Sequence, residues 1–202
     1  MKIELETIDQ LAWEKMSGLI PCTVQHALTG EVLMQGYMNA EAIKESLTTG
    51  KTTFYSRSKE RLWTKGESSK NYLHLKGMYS DCDDDALLVH ALPDGATCHL
   101  GNRSCFDAAP KPLLHELDTL IAGRKGADAS ESYTASLFAK GIKRAAQKVG
   151  EEGVEVALAA ATEDKHELVN ESADLLYHLL VVLQASELSL EDVLEVLAKR
   201  RG

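Results

Sequence analysis

Asp81-Cys82-Asp83-Asp84-Asp85 gathers four carboxylates and a thiol in one run. Read as an extended segment, alternation puts Asp81, Asp83 and Asp85 on one face and Cys82 on the other. Three carboxylates on one face repel each other, and a hard cation such as Mg²⁺ among them relieves that repulsion. A thiolate on the opposite face prefers zinc. Downstream, Cys98-His99-Leu100-Gly101-Asn102-Arg103-Ser104-Cys105 adds two thiols with six residues between them. Three Cys ligands leave zinc one short of the four used in structural sites, and an open fourth position is what a catalytic zinc needs for water. Zinc lowers the pKa of that water to about 7. His99 adjoins a ligand and is placed to serve as general acid or base. Taken singly, an acidic run is ordinarily a solvated turn and a lone Cys a small buried hydrophobe. Cys22 is read that way. The spacing also lacks the paired C-x-x-C of zinc fingers.

A second constellation lies in Lys148-Val149-Gly150-Glu151-Glu152-Gly153-Val154-Glu155. On a helix, Glu152 and Glu155 are three apart and Glu151 and Glu155 four apart, which sets carboxylates on neighbouring turns. Glu171 and Asp174 repeat the three-residue spacing on the next helical segment. Two such helices packed antiparallel bring these groups together around Mg²⁺. Glutamates on a helix are ordinarily a solvated face. Against that stand the nearly all-apolar stretch Val154–Ala161 and the residues Ala173, Leu175 and Leu176 beside the second pair. Carboxylates bordering a core require partners or a ligand.

The elements that must position these groups differ in the two halves. The texture changes at Pro110-Lys111-Pro112, and all four Cys and both Trp precede it. Residues 1–110 carry short β-prone runs at Thr23–Gln25, Glu31–Met34, Thr52–Ser56, Tyr72–Leu75 and Ala86–Leu92, separated by turn signals such as Thr29-Gly30 and Pro93-Asp94-Gly95. One helix is expected at Ala40–Thr49, with Asn39 as N-cap and Gly50 at its C-terminal stop. This half reads as an α+β domain with a mostly antiparallel sheet. Residues 111–202 read as an all-α bundle. Its helices are Leu113–Ala122, Tyr133–Thr162 with an interruption near Gly150 or Gly153, Lys165–Ala185, and Leu190–Arg200 with Ser189 as N-cap. Gly123–Ser132 reads as a mobile loop.

Composition narrows the partners. Hydrophobic residues make up 44% and charged residues 26% of 202, ordinary for a soluble globular protein. The net charge of -9 repels phosphate backbones, which argues against nucleic acid. A small phosphorylated substrate needs metal ions to screen the carboxylates. Met1-Lys2 leads into no apolar run, and no stretch approaches a membrane helix, so no secretory signal or membrane span is expected and the cytoplasm is the expected location. There a disulfide reading of the four Cys is weak, and metal or catalytic roles gain weight.

Asp81–Leu88 (DCDDDALL) and Cys98–Phe106 (CHLGNRSCF) resemble the paired motifs of the phosphoribosyl-AMP cyclohydrolase family. Val32–Asn39 (VLMQGYMN), Thr53–Ser58 (TFYSRS) and Leu62–Ser69 (LWTKGESS) match it too, so the resemblance covers residues 17–107. It implies zinc on Cys82, Cys98 and Cys105, magnesium on Asp81, Asp83 and Asp85, and proton transfer by His99. That family hydrolyses the N1–C6 bond of the adenine ring of phosphoribosyl-AMP. Arg57, Ser58, Lys65 and Ser68 are candidates for the substrate phosphates. In similar proteins the zinc ligands come from two subunits, which implies a homodimer. Three positions depart from the family pattern: Leu100 stands where Thr is common, Lys70 where Gly is common, and His26 where Asp is common.

The second half resembles the phosphoribosyl-ATP pyrophosphohydrolase family, within the all-α nucleoside-triphosphate pyrophosphohydrolases. The matching stretches are KVGEEGVEVALAA (148–160) and NESADLLYHLLV (170–181), in a resemblance over residues 113–196. It implies Mg²⁺ ligands among Glu151, Glu152, Glu155, Glu171 and Asp174. One carboxylate orients the attacking water, with Glu152 and Glu155 the catalytic candidates. Lys140 and Lys148 are candidates for phosphate contacts. The expected reaction releases pyrophosphate from phosphoribosyl-ATP, and its product is the substrate of the first half. Two other readings stand beside this one: a house-cleaning nucleoside-triphosphate pyrophosphohydrolase, and a non-catalytic zinc-stabilised dimerisation module.

Overall fold

A computed structural model describes residues 1–130 and 132–201. The chain forms two compact units, one spanning Met1–Pro110 and the other beginning at Lys111. The first opens with a short 3₁₀ helix, Leu5–Gln10. It continues with β1 (Ile20–His26), β2 (Val32–Met38), α1 (Ala40–Thr49), β3 (Thr53–Ser56), β4 (Arg61–Thr64), β5 (Leu73–Ser80) and β6 (Leu87–Pro93). Strict alternation along β1 buries Ile20, Cys22 and Val24, the pattern of a strand with one face on a core. Leu33, Met38, Ile43, Phe54, Leu73, Met78 and Val89 complete that core. Cys22 is a packing residue, and burial pushes its thiol far up.

The main sheet has the order β2-β1-β6-β5, and β3-β4 forms a separate hairpin. β1–β2 and β5–β6 pair antiparallel, but the central pair β1–β6 is parallel. The sheet is thus mostly antiparallel, as expected, but mixed through one parallel pair at its centre. Strand direction in a pair brought together from distant parts of the chain leaves no trace in local alternation.

Helix α1 begins and ends where its capping residues direct. Asn39 Oδ1 accepts from Ala42 N at 2.8 Å, and Gly50 closes the helix at φ 69°. The His26 side chain does in this turn the work an aspartate commonly does. Its Nδ1 accepts from the backbone of Leu28 at 3.3 Å and Thr29 at 3.2 Å. Lys70 sits at φ 66°. A β-carbon is disfavoured in that left-handed region, so Lys70→Gly is expected to raise stability by about 1 kcal/mol, read as a shift in the urea midpoint.

In the second unit come α2 (Leu113–Gly123), α3 (Tyr133–Lys140), α4 (Ile142–Ala161), α5 (Lys165–Ala185) and α6 (Leu190–Arg201). The expected interruption near Gly150 or Gly153 does not occur, since α4 runs straight through both. The break falls at Gly141, whose φ of 82° and ψ of 170° lie outside the helical region. Packing of α4 on α5 outweighs the roughly 1 kcal/mol that each helical glycine costs. Thr162–Asp164 returns the chain, and the Asp164 side chain caps α5 by accepting from His166 N and Glu167 N, so α4 and α5 form an antiparallel pair. Ser189 immediately precedes α6. Its N–H and hydroxyl both donate to Asp192, which holds that carboxyl below the usual range. Ile121, Leu137, Ala145, Leu180 and Val181 form the core of this unit. Of the loop expected at Gly123–Ser132, Glu131 lies outside the described residues. Among the described residues no helix is long and apolar enough to cross a membrane.

Candidate functional site

Each unit carries its own concentration of chemistry. In the first, Cys98 and Cys105 flank a loop tied down by its backbone. Cys98 N donates to Asn102 O at 3.0 Å, and Cys105 N to Leu33 O at 2.8 Å. Ser104 Oγ donates to Val32 O at 2.7 Å, and Arg103 Nε to the buried Glu31 carboxylate at 2.6 Å. The loop is thereby stitched to β2, and the two thiols lie within each other's influence. Burial pushes the Cys105 thiol up, with the neighbouring Cys98 adding to it and Lys65 opposing. Lys65 is itself buried, and desolvation lowers its pKa against the pull of the two thiols.

These groups line a cavity of about 400 Å³. Trp63, Lys65, Gly66, Ser68, Asn71 and His99 are among its walls. The Trp63 ring is backed by Phe54, with centroids 5.6 Å apart. Thr97 also contributes, and its Oγ1 is buried with no hydrogen-bond partner among the described residues. Gly66 shapes the wall through its backbone. It sits at φ 92°, and an added β-carbon would lie 2.6 Å from Asn71 O. Gly66→Ala is therefore expected to destabilise the fold by about 3 kcal/mol and to distort this wall, read by thermal denaturation.

Of the sequence candidates, Lys65, Ser68, Cys98, His99 and Cys105 meet at this cavity. Arg57 and Ser58 do not line it. They lie in the exposed β3–β4 turn, and the Arg57 guanidinium sits 3.8 Å from the centre of the Tyr37 ring. Cys82 is exposed in the β5–β6 turn, its Sγ 3.9 Å from Asp83 Oδ1. It belongs to no group of three metal-ligating side chains within 4.8 Å among the described residues.

Asp81, Asp83 and Asp85 do converge, with oxygens within 4.8 Å of one another. The reason is not the alternation of an extended strand. Residues 81–86 form the turn between β5 and β6, closed by Asp81 Oδ1 accepting from Asp85 N at 3.0 Å, with Asp84 at φ 58°. Lys15, unmarked by any motif, reaches this turn. Its ammonium lies 2.5 Å from Asp83 Oδ2 and also contacts Asp85, holding the Asp83 carboxyl below its usual range. Three oxygens this close form a donor set that fits a hard divalent cation.

In the second unit, Glu152 and Glu155 of α4 meet Glu171 of α5, again within 4.8 Å. Glu152 is buried, and its Oε1 accepts from Lys148 Nζ at 2.6 Å. Desolvation opposes the Glu152 charge, but Lys148, together with hydrogen bonds from Glu171 and Glu155, leaves the carboxyl below its usual range. Glu171 has no such cationic partner among the described residues. Burial, and then the neighbouring Glu152 and Glu155, push its pKa up. This is the imbalance a divalent cation removes.

Glu151 faces other groups: Arg144 at 3.2 Å, Gln147 at 2.8 Å and Lys148 at 3.0 Å. Asp174 is exposed, one turn beyond Glu171, and is not among the three converging groups. Lys140 is exposed in the last turn of α3. Of the apolar stretch after Glu152, Ala159 is buried but the larger side chains are not all covered within this chain. Val154 and Leu158 on α4, and Val169 and Leu176 on α5, are all exposed.

The phosphoribosyl-AMP cyclohydrolase family profile matches residues 34–107, and the phosphoribosyl-ATP pyrophosphohydrolase profile matches residues 114–201. Near full-length relatives have both parts in one chain. The histidine biosynthesis bifunctional protein HisIE of Escherichia coli (strain K12) is 58% identical over 95% of this chain and 95% of its own length. Those of Yersinia pestis and Photobacterium profundum are each 55% identical, covering 96% and 98% of this chain and 97% and 100% of the relatives. This chain thus belongs to the bifunctional family of histidine biosynthesis that joins a phosphoribosyl-AMP cyclohydrolase to a phosphoribosyl-ATP pyrophosphohydrolase.

Proposed function

We propose that the chain releases pyrophosphate from phosphoribosyl-ATP at the glutamate cluster of α4 and α5, then opens the adenine ring of the resulting phosphoribosyl-AMP at N1–C6 beside Cys98 and Cys105. The observation that carries this reading is a thiol-bordered cavity in one unit and a helical carboxylate cluster in the other. Soft thiols border one cavity in the first unit, and hard carboxylates converge in the second. Glu152, Glu155 and Glu171, with Asp174 one turn away, would hold Mg²⁺. When bound, Mg²⁺ supplies charge neutralisation for the phosphates. Lys148 and Lys140 supply further positive charge along α4 and α3, and Glu151 keeps Lys148 oriented.

In the cavity, Lys65 and Ser68 are suited to a phosphate, while the flat face of Trp63 is suited to the purine. Arg57 and Ser58 would reach substrate only from the neighbouring turn. His99, in the cavity wall, moves the proton that ring opening requires. Zinc, held by Cys98, Cys105 and a third thiol, supplies acidification of a water at neutral pH when bound. Asp81, Asp83 and Asp85 would hold a second cation, magnesium in this reading.

The third thiol is Cys82 of a second copy, which makes the enzyme a homodimer. Supporting this are Cys98 and Cys105 side by side in the cavity, with Cys82 not among its walls, and the exposed Val154, Leu158, Val169 and Leu176. The test is complementation between two inactive variants, Cys82→Ala and Cys98→Ser, dissociated and reassociated together. Sites shared between subunits return about a quarter of wild-type ring opening, because random pairing makes half the dimers mixed and each mixed dimer keeps one intact site. No recovery would place all three thiols in one chain.

A further inference from the structure

His178 is buried on α5, one turn after Asp174, and contacts both α3 and α4, the helix that carries Glu152. Its Nδ1 lies 2.9 Å from the backbone carbonyl oxygen of Asp174. A carbonyl only accepts, so Nδ1 carries the ring proton. Nε2 is then the acceptor for the Tyr133 hydroxyl of α3, at 3.1 Å. The same Nδ1 is 3.5 Å from Glu152 Oε1. Lys148 Nζ contacts that same oxygen at 2.6 Å. The ring is braced on both sides, because Tyr133 and Tyr177 each meet it edge-on, with centroids at 6.0 Å and 5.2 Å. Tyr177 is in turn fixed by Thr134, at 2.6 Å between hydroxyls.

Lys148 alone cannot orient Glu152. Its ammonium is a point charge on a flexible stem, and it is shared with Glu151. A ring held at both nitrogens has no such freedom. We propose that His178 is a positioning residue for pyrophosphate release. Its Nδ1–H lies between the Asp174 carbonyl and Glu152 Oε1, and so turns the other Glu152 oxygen toward a cation shared with Glu155 and Glu171. This inference rests on the reading of the glutamate cluster as a divalent-cation site. Groups that orient a ligating carboxylate typically change metal affinity or activity by about 10–100-fold when removed.

The test uses the full chain, with Mn²⁺ as the probe and free Mn²⁺ followed by electron paramagnetic resonance. Glu171→Gln identifies the fraction of Mn²⁺ bound at the helical cluster. His178→Asn keeps an N–H donor near the Nδ1 position, whereas His178→Gln moves it to the Nε2 position. His178→Gln is expected to weaken Mn²⁺ at the cluster by about 10-fold or more and to lower kcat for pyrophosphate release, while His178→Asn stays within about threefold of wild type. Ring opening of supplied phosphoribosyl-AMP is unchanged in both. Equal Mn²⁺ affinity in the two His178 variants overturns the proposal. If either fails to fold, Tyr133→Phe, which removes one hydroxyl from an exposed ring, takes its place. Severalfold weaker Mn²⁺ then supports the proposal, and unchanged Mn²⁺ overturns it. If Glu171→Gln removes the cluster's Mn²⁺ while His178→Gln binds as wild type, the positioning role alone fails. If Glu171→Gln binds as wild type, the cation reading of the cluster fails with it.

Discussion

Cys98→Ser is expected to abolish ring opening of phosphoribosyl-AMP, by roughly 10³-fold or more, while pyrophosphate release from phosphoribosyl-ATP stays within about twofold of wild type. The substitution is structurally mild. The Cys98–Cys105 loop is held by backbone bonds from Cys98 to Asn102 and from Cys105 to Leu33, and by the Arg103–Glu31 ion pair. None of these uses a thiol. Serine preserves shape and loses the soft donor that zinc prefers. Bound zinc, measured by elemental analysis, should fall with activity. A variant that keeps both zinc and ring opening would remove Cys98 from the site.

Glu152→Gln is expected to have the converse effect. Pyrophosphate release falls by roughly 10²–10³-fold, and ring opening of supplied phosphoribosyl-AMP is unchanged. Gln matches Glu in shape, so the buried packing between α4 and α5 survives. What is lost is the charge that balances Lys148 and that a cation would share with Glu155 and Glu171. Lys148 keeps Glu151 as a partner, so its raised pKa comes down without leaving a bare buried charge. Steady-state assays on the two substrates separately, at saturating Mg²⁺, measure the split. Together the two variants divide the activities between the two units of one chain.

Much of this was legible because the signals were local. Asn39 and Gly50 mark the ends of α1, and the range Lys165–Ala185 expected from apolar patterning is that of α5. The Asp81/Asp83/Asp85 cluster was also foreseen, though for the wrong geometric reason. A turn gathers these residues as effectively as alternation would, and the two are indistinguishable in five residues. Glu152, Glu155 and Glu171 followed from helical spacing. That Glu151 faces Arg144 and Gln147 depends on the rotation of α4 about its axis, which two adjacent glutamates do not reveal.

What was missed depends on long-range contacts. The parallel pairing of β1 with β6 is one case, and the reach of Lys15 to the aspartate turn is another. The break at Gly141 was assigned instead to Gly150 or Gly153, because nothing local says which glycine has a positive φ. The apolar face of α4 was taken for core, whereas Val154 and Leu158 are exposed in the single chain. His178 had a signal that went unused: it lies four residues after Asp174 and seven after Glu171, on the same helical face.

The central claim is that one chain performs both steps in sequence. Its most direct test is turnover of phosphoribosyl-ATP by the purified full-length protein, supplied with Mg²⁺ and stoichiometric Zn²⁺, with products resolved by mass spectrometry. The expected result is pyrophosphate together with the ring-opened product, and only transient phosphoribosyl-AMP. A folded, metal-loaded protein that leaves phosphoribosyl-ATP untouched, or that stops at phosphoribosyl-AMP, would contradict it.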